Sequence, residues 1–138
     1  MLNEMQLQLL NKAREVQKYR KLDYDNYAGY VGCAMLGANG KIYTGIDIGV
    51  TCGIGFCAEH TCISQMIMDG ETRVLAMCAV GNNTFFPPCG RCRELLSQVN
   101  RANKDCEIIL GYDNVKTLEQ LLPYPFWTFT STSERLTD

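Results

Sequence analysis

Two short segments carry the residues best suited to chemistry: Cys57-Ala58-Glu59 and Pro88-Cys89-Gly90-Arg91-Cys92. Each stands where a helix is expected to begin. Cys89 and Cys92 are three apart, so on a helical first turn both thiols face the same way. A helix N-terminus offers unpaired backbone N–H groups and partial positive charge. Both favour thiolate, the form that binds metal. Zinc takes thiolate sulfur in a tetrahedral array, and Cys57 at the other helix start can supply a third sulfur. Three protein ligands leave the fourth position to water, as in a catalytic zinc site rather than a closed structural one. Water held there has a pKa of about 7. Glu59, two residues after a ligand, is placed to take a proton from it and pass the proton on.

The thiols admit two other readings. A structural zinc clip would need a fourth sulfur from Cys52 or Cys62. Cys62 is five residues past Cys57, about 140° around a helix, and points elsewhere; Cys52, in a glycine-containing loop, stays available. A redox pair would need neither the Pro87-Pro88 lead-in nor Cys57-Ala58-Glu59.

The elements that must position these groups follow from periodicity and turn chemistry. Apolar residues at helical spacing from Leu2 to Val16 predict an amphipathic helix over 2–20. A loop is expected over 23–29. Tyr30–Leu36 and Lys41–Ile48 read as strands of a hairpin closed at Ala38-Asn39-Gly40. Cys57–Asp69 reads as a helix, and Thr72–Val80 as a central strand. Gly81–Pro88 reads as a loop, and Cys89–Asn100 as a helix buried through Leu95, Leu96 and Val99. A strand over Asp105–Tyr112, a short strand near Val115 and a short helix over Leu118–Leu122 complete the pattern, with a polar, frayed tail over Ser131–Asp138. Strands alternating with helices predict the α/β class.

The chain has 138 residues, 46% of them apolar, and a net charge of −2. One domain is expected over 1–138. The acidic balance argues against a nucleic-acid partner, and the basic cluster Lys12, Arg14, Lys18, Arg20 and Lys21 reads as the solvated face of the first helix. No apolar run is long enough to span a membrane. The N-terminus does not read as a signal peptide, so a cytoplasmic location is expected. Eight cysteines in a reducing compartment should be metal ligands or small core residues. Cys33, Cys62, Cys78 and Cys106, in apolar segments, are expected in the core.

Cys-Ala-Glu followed some thirty residues later by Pro-Cys-Gly-Arg-Cys-Arg resembles the cytidine deaminase superfamily in its all-cysteine form. Val31-Gly32-Cys33-Ala34 resembles that family's first strand, Gly40–Gly45 its second, and Leu121-Leu122-Pro123 with Phe126 its C-terminal element. The resemblance implies a three-layer α/β/α sandwich around a mixed five-stranded sheet and a homotetramer binding small nucleosides. It implies hydrolytic deamination of a cytidine-like aminopyrimidine, with release of ammonia. Zn2+ would be held by Cys57, Cys89 and Cys92, with Glu59 as the catalytic proton carrier. The Ala58 backbone N–H would orient the base, and Phe126 would pack on a base, here or in a neighbouring subunit. The alternative to that packing is that Tyr124, Phe126, Trp127 and Phe129 form ordinary core or interface.

The sequence departs from the pattern where the ribose should be held. The nucleoside enzymes usually carry Asn-x-Glu on the second strand; here Asp47-Ile48-Gly49 stands there. Asp47 can still accept a sugar hydroxyl, whereas Gly49 cannot replace the Glu. An aromatic of the first-strand motif falls at Gly29, with Tyr27 or Tyr30 as candidate substitutes. The blasticidin S deaminases of the same superfamily also lack the full clamp, so a cytosine-containing antibiotic is the alternative substrate, and a non-catalytic zinc protein is a further alternative. Zinc with three thiolates is net −1, which opposes forming hydroxide. The family's usual Arg after the Glu is replaced by His60, so Arg91, donating to a thiolate, is expected to offset the charge, with His60 the other candidate.

Overall fold

The computed structural model describes residues 1–130 and 136–137, without the side chains of Phe129 and Thr130. The tail expected to fray over Ser131–Asp138 therefore lies largely outside the described residues, as does the Phe129 side chain. The chain runs α1 (Glu4–Val16), β1 (Arg20–Lys21), β2 (Tyr27–Gly37), β3 (Ile42–Gly49), α2 (Ala58–Met68), β4 (Val74–Gly81), β5 (Thr84–Phe85), α3 (Gly90–Val99), β6 (Glu107–Gly111), β7 (Asn114–Thr117) and α4 (Leu118–Leu121).

The long strands lie in the order β3-β2-β4-β6-β7. β2 pairs antiparallel with both β3 and β4, β4 pairs parallel with β6, and β6 pairs antiparallel with β7. The parallel pair requires a crossover, and α3 lies within it. The sheet is mixed, as expected, with seven strands among the described residues instead of five. The two additions are the short β1 on β2 and β5 on β4.

Alternation along the strands divides the core in two. Cys33, Met35, Met77 and Ile108 face α2 and α3 with Cys62, Ile63, Met66 and Leu96. Ala34, Ala76, Cys78 and Ile109 face the other way, against Leu2, Leu9, Leu10 and Ala13 around α1. Helices thus cover both faces, the layering of a three-layer sandwich. Cys33, Cys62, Cys78 and Cys106 are buried, as expected.

Four local expectations are corrected. The segment 23–29, expected as a loop, enters β2 at Tyr27, which pairs with Gly49 of β3. The first helix stops at Val16 rather than continuing to 20, because Arg20 and Lys21 pair with Ala28 and Tyr27 instead. The basic cluster is consequently split between α1, its exit and β1. The expected 81–88 loop contains β5, turned back onto β4 through Asn82 and Asn83, both at positive φ. Asparagine tolerates that left-handed conformation, and two such residues suit a tight hairpin turn.

Candidate active site

Cys57 is the N-cap of α2 and Cys89 the N-cap of α3; both have extended backbone and neither has a side-chain cap hydrogen bond. The first N–H groups of both helices therefore converge near the sulfurs. Pro87 and Pro88 hold the approach to Cys89 extended. Arg93 fixes it from the next turn, donating from Nε to the Pro88 carbonyl (2.8 Å) and from Nη1 to the Leu121 carbonyl (3.0 Å). α2 is seated on β3 at Gly45, where a Cβ would meet the Ala58 carbonyl oxygen at 2.6 Å. Thr61 and Gln65 of α2 donate to the Ile46 and Thr44 carbonyls at 3.2 and 2.9 Å.

The two helix starts bring three sulfurs together. Cys57 Sγ lies 3.6 Å from Cys89 Sγ, which lies 3.4 Å from Cys92 Sγ, and all three fall within 4.8 Å of one another. Tetrahedral zinc with Zn–S bonds of about 2.3 Å requires sulfurs about 3.8 Å apart, so the trio fits the ion. Neither Cys52 nor Cys62 belongs to it among the described residues; the Cys62 thiol instead reaches the Cys33 carbonyl.

The electrostatics agree with a site built for a cation. Burial raises the Cys92 thiol strongly, and the neighbouring Glu59 and sulfurs raise it further. Cys57 is also raised, first by burial and then by Cys89. Burial acts upward on Cys89 too, but the Cys92 and Arg91 backbone N–H groups and the flanking thiols leave it below its ordinary value. Cys57 and Cys92, crowded against a third sulfur and a carboxylate, resist ionisation unless a positive ion joins them.

Glu59 is only 4% exposed and its Oε2 lies 3.5 Å from Cys92 Sγ. Burial raises its pKa, partly offset by its own backbone N–H and the Cys92 thiol, while Asp47 adds a further upward push. His60 Nδ1 lies 3.7 Å from Cys92 Sγ. Arg91 is exposed and makes no hydrogen bond to a sulfur among the described residues; burial and then the Arg91 charge hold His60 below its usual pKa.

A cleft of about 330 Å³ opens beside the trio, lined by Cys57, Ala58, Glu59, Cys89 and Asp47. Its apolar walls are Tyr27, Val31, Phe56, Phe86 and Pro87. Asp47 Oδ1 accepts the Val31 N–H at 2.8 Å. Phe126 is not among the lining residues: it is 65% exposed, and its N–H donates to Glu94. The walls at Phe56 and Phe86 escaped the sequence reading, although each lies within three residues of a cysteine of the trio.

A family model described as "Cytidine and deoxycytidylate deaminase zinc-binding region" matches residues 3–112. The chain belongs to this family. A cytidine deaminase of Mycobacterium tuberculosis is 36% identical over 75 residues, 53% of this chain and 55% of that protein. One from Vibrio cholerae is 32% identical over 100 residues, 70% of this chain and 32% of that protein. These aligned stretches span about half or less of the curated relatives. Crystal structures of cytidine deaminase from M. tuberculosis and M. leprae superpose with TM-scores of 0.73 and 0.70 at 29% and 31% identity. They cover 87% and 85% of this chain, and 95% and 96% of those chains. The zinc cofactor of the family agrees with the sulfur trio found here.

Proposed function

We propose that the protein is a zinc-dependent hydrolase that deaminates a cytidine-like aminopyrimidine nucleoside, releasing ammonia and the uridine-like product. The observation that carries this reading is the buried Glu59 carboxylate beside three convergent sulfurs at the edge of one cleft. Cys57, Cys89 and Cys92 would hold the zinc, whose chemistry there would be to make water a nucleophile at neutral pH. Glu59 would take a proton from the attacking water and deliver it to the ring nitrogen, then take the remaining proton of the new hydroxyl and deliver it to the amine, so that the C–N bond breaks and ammonia leaves as the carbonyl forms. Its burial supports this double duty, because a carboxyl pKa raised from its ordinary value brings the protonated form within easier reach. The Ala58 N–H, in the first turn of α2, orients the base. Asp47 accepts a hydroxyl of the sugar.

Charge narrows the substrate. Asp47 and Glu59 line the cleft and, among the described residues, no lysine or arginine does, so a phosphorylated substrate would meet repulsion from both carboxylates. A neutral nucleoside suits the site better than a nucleotide. The incomplete sugar clamp, with Gly49 in the lining, favours a second reading in which the substrate is a cytosine-containing antibiotic.

We further propose a cytoplasmic homotetramer. No helix among the described residues is long and apolar enough to cross a membrane, and all eight cysteines are free thiols. The family resemblance would place Phe126, 65% exposed in the single chain, against a neighbour's cleft. Light scattering tests the assembly.

The test of function is incubation of the zinc-loaded protein with cytidine, deoxycytidine, cytosine and blasticidin S. Ultraviolet absorbance and ammonia release are followed, with Glu59→Ala as control. Turnover absent in the variant supports the reading; silence across the panel with one zinc per chain overturns it.

A further inference from the structure

Tyr27 opens β2 and Gly49 closes β3, and the two are direct partners in the antiparallel ladder. Side chains at such positions share one face of the sheet. The Gly49 backbone lies outside the left-handed region, so its conformation alone would admit any residue. What forbids a side chain is the neighbour: a Cβ on Gly49 would fall onto Cζ, Cε1 and Cε2 of the Tyr27 ring. The ring lies over Gly49 and fills the volume a side chain would take. It is held there by stacking on Tyr19, with centroids 5.8 Å apart and planes at 19°, and by an edge contact to Tyr30 at 6.5 Å. Tyr27, Gly49 and Asp47 all line the cleft. Asp47, two residues before Gly49, projects to the same side of the strand.

We propose that Tyr27 is a specificity-determining residue: its ring replaces a polar side chain on β3, leaving Asp47 as the one carboxylate that reads the sugar hydroxyls beside an aromatic wall. This rests on the deaminase reading above. A site that binds a hydroxyl through a complete set of buried polar groups rejects the analogue lacking it by about ten-thousand-fold or more. With one carboxylate and an aromatic face, the discrimination falls to about a hundred-fold or less. The ring in its present place and a β3 side chain at position 49 cannot coexist, so a carboxylate introduced there requires the ring to move or to be removed.

The experiment uses four full-length, zinc-loaded proteins: the native chain, Tyr27→Ser, Gly49→Glu and the double variant. The ratio of kcat/KM for cytidine over 2′,3′-dideoxycytidine is measured. Calorimetric binding of uridine and 2′,3′-dideoxyuridine gives the same ratio without turnover, and thermal melting reports folding. The native ratio is expected at about a hundred or below. The double variant is expected to raise it at least ten-fold, while Gly49→Glu alone lowers the melting temperature and does not raise the ratio. A native ratio near ten thousand overturns the proposal. So does a rise in Gly49→Glu equal to that in the double variant, an unchanged ratio in a folded double variant, or no nucleoside binding by any of the four. Nucleoside binding without deamination by the native protein would overturn the catalytic reading alone, and the binding ratios would still decide the role of Tyr27.

Discussion

In the proposed reaction Glu59 would accept a proton and later give it up, and its burial beside Cys92 suits that task. Glutamine at 59 keeps the side chain's size and one oxygen but cannot carry a proton. Glu59→Gln is therefore expected to lower kcat by about a hundred- to ten-thousand-fold while zinc content by metal analysis stays at one per chain. Cys89→Ser should do the reverse: it removes a thiolate and should take bound zinc to near zero under the same assay. The sulfurs and Glu59 were legible in the sequence because each depends on spacing within one helical turn. Tyr27 was legible only as one of two candidates. Its place over Gly49 depends on a cross-strand register that no local pattern states. Phe126 shows the converse, since a motif-like position near the end of the chain is not among the residues that line the cleft of the same chain.

Between residues and molecule stand the joints that aim the helices. Asn103, fully buried, accepts the Val74 N–H at 2.8 Å and donates to the Leu96 and Thr72 carbonyls at 2.9 and 3.1 Å. One side chain thus ties the start of β4 to α3, the helix that carries Cys89 and Cys92. Asn103→Ala leaves those backbone groups unpaired and is expected to cost about 2–4 kcal/mol. Urea denaturation measures the loss, and a parallel zinc titration should show weaker binding as α3 loosens. Most elements were readable from period and punctuation: the central β4, the 42–49 strand and the caps of α2 and α3 fall within a few residues of expectation. Two of the misses are of one kind. β1 and β5 are two residues each, too short to leave a period, and exist because a longer strand lies alongside to pair with them.

The molecule as a whole should respond to alkali. Burial pushes the Cys78 and Cys106 thiols up to about 12 from an ordinary 9.0. In that interval the folded chain retains protons that the unfolded chain gives up. The stabilising contribution is complete below pH 9 and is lost as pH rises toward 12, by about 1.4 kcal/mol per pH unit for each such thiol within the window. Melting temperature is accordingly expected to be flat near neutrality and to fall above pH 9. A Cys78→Ala/Cys106→Ala variant should fall less steeply, measured by circular dichroism across pH 7–11. An equal slope in the variant would refute the assignment.

Cys57 and Cys89 are 32 positions apart along the chain, yet their sulfurs could share one ion. A metal at that point is a tether across the polymer, and its worth is counted in the freedom it denies the unfolded chain. By analogy with a covalent cross-link of that span, the gain is about 3–4 kcal/mol. Unlike a disulfide, this tether is released by any strong chelator and retied by adding zinc back. The protein's resistance to heat should thus be reversible on the bench, falling and recovering with free metal, even where catalysis is not being measured.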